Sequence, residues 1–167
     1  MKPSIYEIPI PRNGRLFQMP KPSGDWLKED VGFYASLGIV RIISLIEPEE
    51  VEELNLKDQK RICESFGLGF VSFPIPDYGL PDPEPFSELA DETRHDIEGG
   101  ASVAIHCRAG IGRSGMLSCT IIAPWFGAAQ TAIDHVTKAR GVKVPDTEEQ
   151  RNFVIQLFDP SWAERDR

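Results

Sequence analysis

The run Val103-Ala104-Ile105-His106-Cys107-Arg108-Ala109-Gly110-Ile111-Gly112-Arg113-Ser114-Gly115 gathers the side chains best suited to chemistry in this sequence. An apolar stretch with the character of a buried strand ends on His106-Cys107. Five residues carrying two glycines follow, and then Arg113 and Ser114. From Met116 to Ala123 the chain is apolar nearly all round, as a helix buried in a core would be. Strand, tight loop and helix start, in that order, aim several backbone N–H groups and the positive end of a helix at one point.

Each part has a chemical use. A thiol is a modest nucleophile, but thiolate forms readily near a helix N-terminus and a cation. Gly110 and Gly112 allow torsions that turn the amides of Arg108, Ala109, Gly110, Ile111 and Gly112 inward as an anion nest. Arg113 offers a planar fork matching two oxygens of a phosphate. Ser114 is placed to hydrogen-bond the sulfur and help it leave as a thiolate in a second step. His106 would sit behind Cys107 and orient the loop. Together these residues describe a phosphate cradle with a nucleophile at its floor.

A lone buried cysteine is ordinarily a small core residue, and glycine turns between strand and helix are common. The full pattern is far rarer: His-Cys, five residues with glycines third and fifth, then Arg-Ser. It resembles the signature loop of the cysteine-based protein tyrosine phosphatases, in particular short bacterial-type members of the dual-specificity branch. No Gly-Lys-Ser/Thr ending of a nucleoside triphosphate loop is present.

The resemblance covers roughly residues 12–158 and implies further roles. Such enzymes carry a general acid on the loop after the preceding strand, and here Asp77 in Phe73-Pro74-Ile75-Pro76-Asp77-Tyr78-Gly79 takes that place. Asp82, between Pro81 and Pro83, is the competing carboxylate, with helix capping as its simpler use. In Val144-Pro145-Asp146-Thr147-Glu148-Glu149-Gln150, Thr147 with Gln150, or Asp146 with Glu149, reads as a capping box. The segment is also similar to the loop that positions the hydrolytic water, which implies that role for Asp146 and Gln150. Tyrosine-specific relatives have glutamine where this chain has Asp146, so Asp77 is the alternative base. Arg108 is expected to face solvent or an acidic neighbour. Lipid-directed relatives carry lysines at the positions of both Arg108 and Ile111, and only Arg108 is basic here.

The elements that must hold these residues follow from pattern and punctuation. Ile5 to Ile10 and Arg15 to Met19 read as strands of a hairpin turning at Asn13-Gly14. A helix capped by Ser23 or Asp25 runs to about Leu37 and is stopped by Gly38, with Leu27, Val31, Tyr34 and Leu37 on one face. Ile39 to Ile46 reads as a buried parallel strand. Helical material after Glu47-Pro48-Glu49-Glu50 breaks near Leu54-Asn55-Leu56 and resumes from Lys57 to Phe66. Phe70 to Ile75 is the next strand, and Pro76 to Pro85 a proline-stiffened loop. A helix on Phe86, Leu89, Ala90, Thr93 and Ile97 ends at Gly99-Gly100. Beyond the central helix, Pro124 and Gly127 predict a bend or stop. A helix on Ala129, Ala132, Ile133, Val136 and Ala139 ends at Gly141. The last, from Thr147 to about Phe158, is expected to bury Phe153, Val154, Leu157 and Phe158, with a loose polar tail from Asp159.

Strands alternating with helices predict an α/β fold, a central, mostly parallel sheet flanked by helices, with the phosphate loop between a central strand and the next helix. In such sheets the site gathers at the carboxyl ends of strands. The loops at Glu47-Pro48-Glu49, at residues 76–85 and at residues 106–113 are therefore expected side by side.

All 167 residues read as one domain, with 41% hydrophobic and 26% charged residues, within the ordinary range of soluble proteins. A net charge of -8 disfavours nucleic acid and anionic membranes as partners. A local basic site still binds one phosphate, because screening confines the wider field to about 8–10 Å. Three cysteines, Cys63, Cys107 and Cys119, and no apolar leader at the start point to reduced thiols in the cytoplasm. Cys63 and Cys119 are expected in the core. No metal or other cofactor is implied, and a monomer acting on a phosphorylated protein, phosphotyrosine above all, is the favoured reading. The alternatives are the same chemistry on a phosphoinositide or an RNA 5′ end, or a non-catalytic phosphopeptide-binding module. The acidic charge argues against the first two, and the presence of both Cys107 and Asp77 against the third.

Overall fold

The computed structural model of the chain describes residues 2–160. Five strands form one sheet: β1 (Tyr6–Ile8), β2 (Leu16–Met19), β3 (Arg41–Ser44), β4 (Gly69–Ser72) and β5 (Val103–His106). Their spatial order is β1-β2-β5-β3-β4, with β1 antiparallel to β2 and the other neighbours parallel. Around them lie α1 (Leu27–Ser36), α2 (Pro48–Glu53), α3 (Gln59–Ser65), α4 (Pro83–Glu98), α5 (Gly112–Phe126), α6 (Ala129–Arg140) and α7 (Glu148–Phe158). The expected α/β architecture is thus present, and β5 is the central strand.

Every residue of β5 and β2 is buried, as apolar strands covered on both faces must be. The register fixes where the site forms. Met19, His106 and Ser44 lie level across β2, β5 and β3, and Ser72 is level with Ser44 on β4. Four parallel strands therefore release their following loops at one edge, the carboxyl edge. Pairing carries on past the strands, from the Leu45 amide to the His106 carbonyl at 2.9 Å and from the Ile75 amide to the Leu45 carbonyl at 3.0 Å. Those bonds hold the loops after β3 and β4 against the end of β5.

Several local expectations are corrected. The hairpin does not turn tightly at Asn13-Gly14: Ile8 pairs with Leu16, so residues 9–15 connect the strands. Gly14 serves close approach instead, since a Cβ there would lie 2.0 Å from the Ala101 carbonyl oxygen. Neither Ser23 nor Asp25 caps α1; its N-cap position is Trp26, and the Ser23 amide donates to Asp30 Oδ2 at 2.8 Å. Asp82 occupies the N-cap position of α4 but makes no side-chain capping bond. On α7 the buried face is Gln150, Phe153, Val154 and Ile155, while Leu157 is half-buried and Phe158 is 40% exposed. The tail from residue 161 lies outside the described residues.

Pro124 neither stops α5 nor shortens it, and the helix ends three residues later at Gly127, whose φ is 78°. A proline removes the donor that the carbonyl four residues earlier requires. Arg94 on α4 supplies the replacement: Nη2 donates to the Thr120 carbonyl at 3.1 Å, and Nε donates beside it to the Ile121 carbonyl at 2.7 Å. The helix that begins at the phosphate loop thus stays whole through an otherwise breaking residue. Arg94→Leu is expected to lower stability by about 1–3 kcal/mol, the cost of an orphaned acceptor at the Thr120 carbonyl, measured by chemical denaturation.

Candidate active site

Cys107 follows the last residue of β5 and is buried, so the strand delivers its sulfur to the floor of the loop. Behind it His106 is fully buried. Its Nδ1 donates to the Cys107 carbonyl at 3.0 Å, which leaves Nε2 to accept from the Gln59 amide at 2.9 Å. Burial, then the nearby charges of Arg113 and Lys21, push its pKa down to about 4 against the raising effect of the Cys107 carbonyl. His106 is therefore a neutral imidazole hydrogen-bonded behind Cys107. Gln59 was not foreseen; a buried imidazole needing a second partner is the only signal that points to it.

The loop turns its carbonyls outward, and each is occupied. The Arg108 carbonyl accepts from the Lys21 amide at 3.1 Å. Arg140 Nη2 donates to the Ala109 carbonyl at 3.1 Å, and its Nε to the Gly110 carbonyl at 2.9 Å. Gln18 Nε2, buried on β2, also donates to the Gly110 carbonyl, at 2.8 Å. Among the described residues the amides from Arg108 to Arg113 meet no protein acceptor. With Ala109, Ile111 and the two glycines between, this is the inward ring of donors an oxyanion needs.

The two glycines do different work. Gly110 has φ 73°, the left-handed torsion that reverses the chain, and a Cβ would lie 2.4 Å from the Met19 carbonyl carbon. Gly112 opens α5 with ordinary helical torsions. It is small because a Cβ would sit 2.5 Å from Asp146 Oδ2 and 3.0 Å from Gln150 Oε1. The expected torsional role holds for Gly110 alone.

Arg113 is only 2% exposed, on the first turn of α5. Glu50 of α2 accepts from both ends of its fork, Nη1 to Oε1 at 2.6 Å and Nη2 to Oε2 at 3.0 Å. Nη1 also donates to the Ile75 carbonyl at 3.1 Å, and Nη2 lies 3.1 Å from Asp77 Oδ1. Three carboxyl-edge loops thus meet at one guanidinium. Arg108 turns to acidic neighbours, with Nε on Glu50 Oε2 at 3.1 Å and Nη2 on Glu53 Oε2 at 2.9 Å. Burial opposes ionisation of Glu50, yet the Arg113 fork, the Glu47 amide and Arg108 together lower its pKa from 4.5 to about 2. Glu50 was missed from sequence; a buried arginine on an apolar helix implies a carboxylate partner but does not name it.

Asp77 is exposed on its outer side, while Asp146 lies against the start of α5. Burial and the charge of Asp77 raise the pKa of Asp146, with Arg113 opposing. The Thr147–Gln150 capping box is present, the Gln150 amide donating to Thr147 Oγ1 at 3.0 Å and Gln150 Oε1 accepting from the Thr147 amide at 3.3 Å. Gln150 Nε2 donates to the Gly79 carbonyl at 3.3 Å, tying α7 to the loop that carries Asp77. The Ser114 hydroxyl is buried without a hydrogen-bond partner, so the bond to sulfur expected from sequence is not formed in this structure. Cys63 and Cys119 lie in the core; burial, with the charge of Glu64, pushes Cys63 up to about 11, and burial raises Cys119 as well.

Replacing Glu50 by Gln takes from a buried guanidinium its bidentate counter-charge, leaving only the half-exposed Asp77 carboxylate beside it, and is expected to cost about 3–5 kcal/mol. A carboxylate whose folded pKa is depressed adds stability above its unfolded value, near 4.5, and that stability is lost as pH falls toward 2. Denaturation measured between pH 2 and 5 should show this acid loss in the parent and a flatter profile in Glu50→Gln.

Known proteins share both fold and sequence pattern. Residues 14–155 match the family model described as Swiss Army Knife protein, DSP-PTPase phosphatase domain. Cyclin-dependent kinase inhibitor 3 of Mus musculus is 25% identical over 80% of this chain and 64% of its own. A tyrosine-protein phosphatase of Autographa californica nuclear polyhedrosis virus is 34% identical over 55% of this chain and 54% of its own. The chain thus spans about half to just under two thirds of these relatives' lengths. Among solved structures, kinase associated phosphatase with its catalytic-site cysteine changed to serine superposes at a TM-score of 0.86, with 20% identity and 96% of each chain covered. Tk-PTP in its active form superposes at 0.71, with 24% identity over 91% of this chain and 95% of that one. A family model spanning most of the chain, this loop included, is sufficient: the chain belongs to the DSP-PTPase phosphatase domain family of cysteine-based phosphatases.

Proposed function

We propose that the protein hydrolyses phosphate monoesters on proteins, phosphotyrosine foremost, through a phosphocysteine intermediate. The observation that carries this reading is the convergence of Cys107, the inward amides of residues 108–113, the fork of Arg113 and the Asp77 carboxyl at one edge of the sheet. In the first step the Cys107 thiolate attacks phosphorus, the bond from phosphorus to the ester oxygen breaks, and Asp77 gives that oxygen its proton. The loop amides and Arg113 hold the three equatorial oxygens as their charge shifts. In the second step water attacks phosphorus and loses a proton to a carboxylate. The sulfur leaves as a thiolate, and inorganic phosphate departs.

Asp146 is our choice to orient that water, since its carboxylate faces the first turn of α5 beside Arg113 and Asp77. Both ends of Gln150 are engaged, by Thr147 and Gly79, so it supports the acid loop and leaves the water to Asp146. Ser114 supports departure of the sulfur once the loop is loaded. A phenol leaves more easily than an alcohol, which favours tyrosine over serine and threonine. Arg108 is engaged by Glu50 and Glu53, and the net charge is -8, which favours a protein over an anionic lipid surface. We place this activity in the cytoplasm, where thiols stay reduced. Among the described residues no helix is long and apolar enough to cross a membrane.

Cys107→Ser is expected to abolish hydrolysis of an aryl phosphate while inorganic phosphate still binds; turnover above a small fraction of the parent rate would sink the mechanism. Asp77→Asn should slow substrates with basic leaving groups by about 10²–10⁴-fold and those with acidic leaving groups much less. Asp82→Asn should leave both rates nearly unchanged. The parent assayed on phosphotyrosine peptides, phosphoserine peptides and phosphoinositides tests the substrate, and preference for the lipid would overturn the protein reading.

A further inference from the structure

Three arginines touch the loop around Cys107, and their charges are met differently. Arg113 pairs with Glu50 and Asp77, and Arg108 with Glu50 and Glu53. Arg140, in the last turn of α6, has no carboxylate partner among the described residues. Its polar contacts are the carbonyls of Gly110 and Ala109, and its guanidinium carbon lies 3.9 Å from the centroid of the Tyr6 ring. Tyr6 stands directly opposite Gln18 in the β1–β2 pair. Opposed residues of an antiparallel pair project to the same face, and Gln18 donates to the same Gly110 carbonyl. The N-terminal hairpin thus addresses one peptide group of the loop twice, directly through Gln18 and through Arg140 by way of Tyr6.

We propose that Tyr6 is a positioning residue for phosphate binding, its ring holding Arg140 flat against the outer side of the loop. Arg140 then keeps the Ala109 and Gly110 carbonyls turned out and lends the bound anion a positive charge that no carboxylate offsets. The point of contact matters because Gly110 is the one residue of the loop with positive φ, where a peptide flip meets least resistance. A flip there would turn a carbonyl oxygen toward an anion. A ring on the face of a guanidinium restrains it without consuming any of its N–H donors. This role rests on the loop's binding phosphate, as proposed above.

Inorganic phosphate is the probe, its affinity read by calorimetry and as a competitive inhibition constant against an aryl phosphate. Tyr6→Leu is expected to weaken phosphate about 3–10-fold, the range of a partly buried cation–π contact, with a melting temperature near the parent's. Tyr6→Phe should bind phosphate as the parent does, since the ring face and not the hydroxyl makes the contact. In an Arg140→Gln background, itself weakened for phosphate, Tyr6→Leu should have little further effect, and this cycle decides the matter even if Tyr6→Leu alone folds poorly. Parent-like affinity in Tyr6→Leu, failure of Tyr6→Phe to restore it, or additive losses in the double variant would each overturn the role. A parent protein that binds no phosphate is a separate result, which removes the phosphate-cradle reading itself.

Discussion

Arg113 is the constraint to which the other parts of the site answer. A guanidinium at 2% exposure loses its hydration and must recover it from fixed partners. Glu50 supplies a bidentate match, and Ile75 a carbonyl. Because those partners stand on the loops after β3 and β4 while Arg113 starts the helix after β5, satisfying one buried charge fixes three loops relative to one another. Glu50 is itself held by Arg108 and the Glu47 amide, so the carboxylate is as constrained as the cation it serves. The fork proposed to take a phosphate is held by fixed partners, the arrangement from which electrostatic stabilisation gains most.

The second constraint concerns backbone dipoles. A loop that presents N–H groups to an anion must turn the opposite ends of its peptides elsewhere, and a carbonyl left buried without a donor costs free energy. Here the donors come from four directions: the His106 ring, the Lys21 amide, Gln18 on β2 and Arg140 on α6. The sheet edge and the last turn of α6 thereby become part of the cradle, although neither touches the space inside it. An acidic protein can hold such a site because the local arrangement of dipoles and one fork outweighs a distant, screened net charge.

Gln150 has a comparable linking function on the acid side. Its amide completes the capping box of α7 and reaches the Gly79 carbonyl, so the loop carrying Asp77 is tied to the segment carrying Asp146. Burial and the charge of Asp77 both raise the pKa of Asp146, with the charge of Arg113 opposing, so the two segments are also coupled electrostatically.

The fold class, the central strand, the glycine-bearing loop after Cys107 and the buried helix beyond it were legible in the sequence, because each depends on short-range pattern. A β-branched run such as Ile42-Ile43 reads as a buried strand, and glycines at fixed offsets from a cysteine read as a loop. The place of Asp77 beside Arg113 is a tertiary fact, while its proposed role as acid comes from a family pattern. Tertiary structure alone decided the partners: Glu50, Gln59, Gln18 and Arg140 are polar residues of common type, tens of residues away in the chain from the groups they serve. Nothing local marks which glutamate will meet a buried arginine or which arginine will cap a turned-out carbonyl. The same reason explains the misread turns and ends. Gly14 is small for a carbonyl of residue 101, and Pro124 stays helical because Arg94 replaces its missing donor, both across gaps that periodicity cannot see. Sequence periodicity reports how a segment meets water and core; the identity of a contact across the fold is set only when the elements are packed.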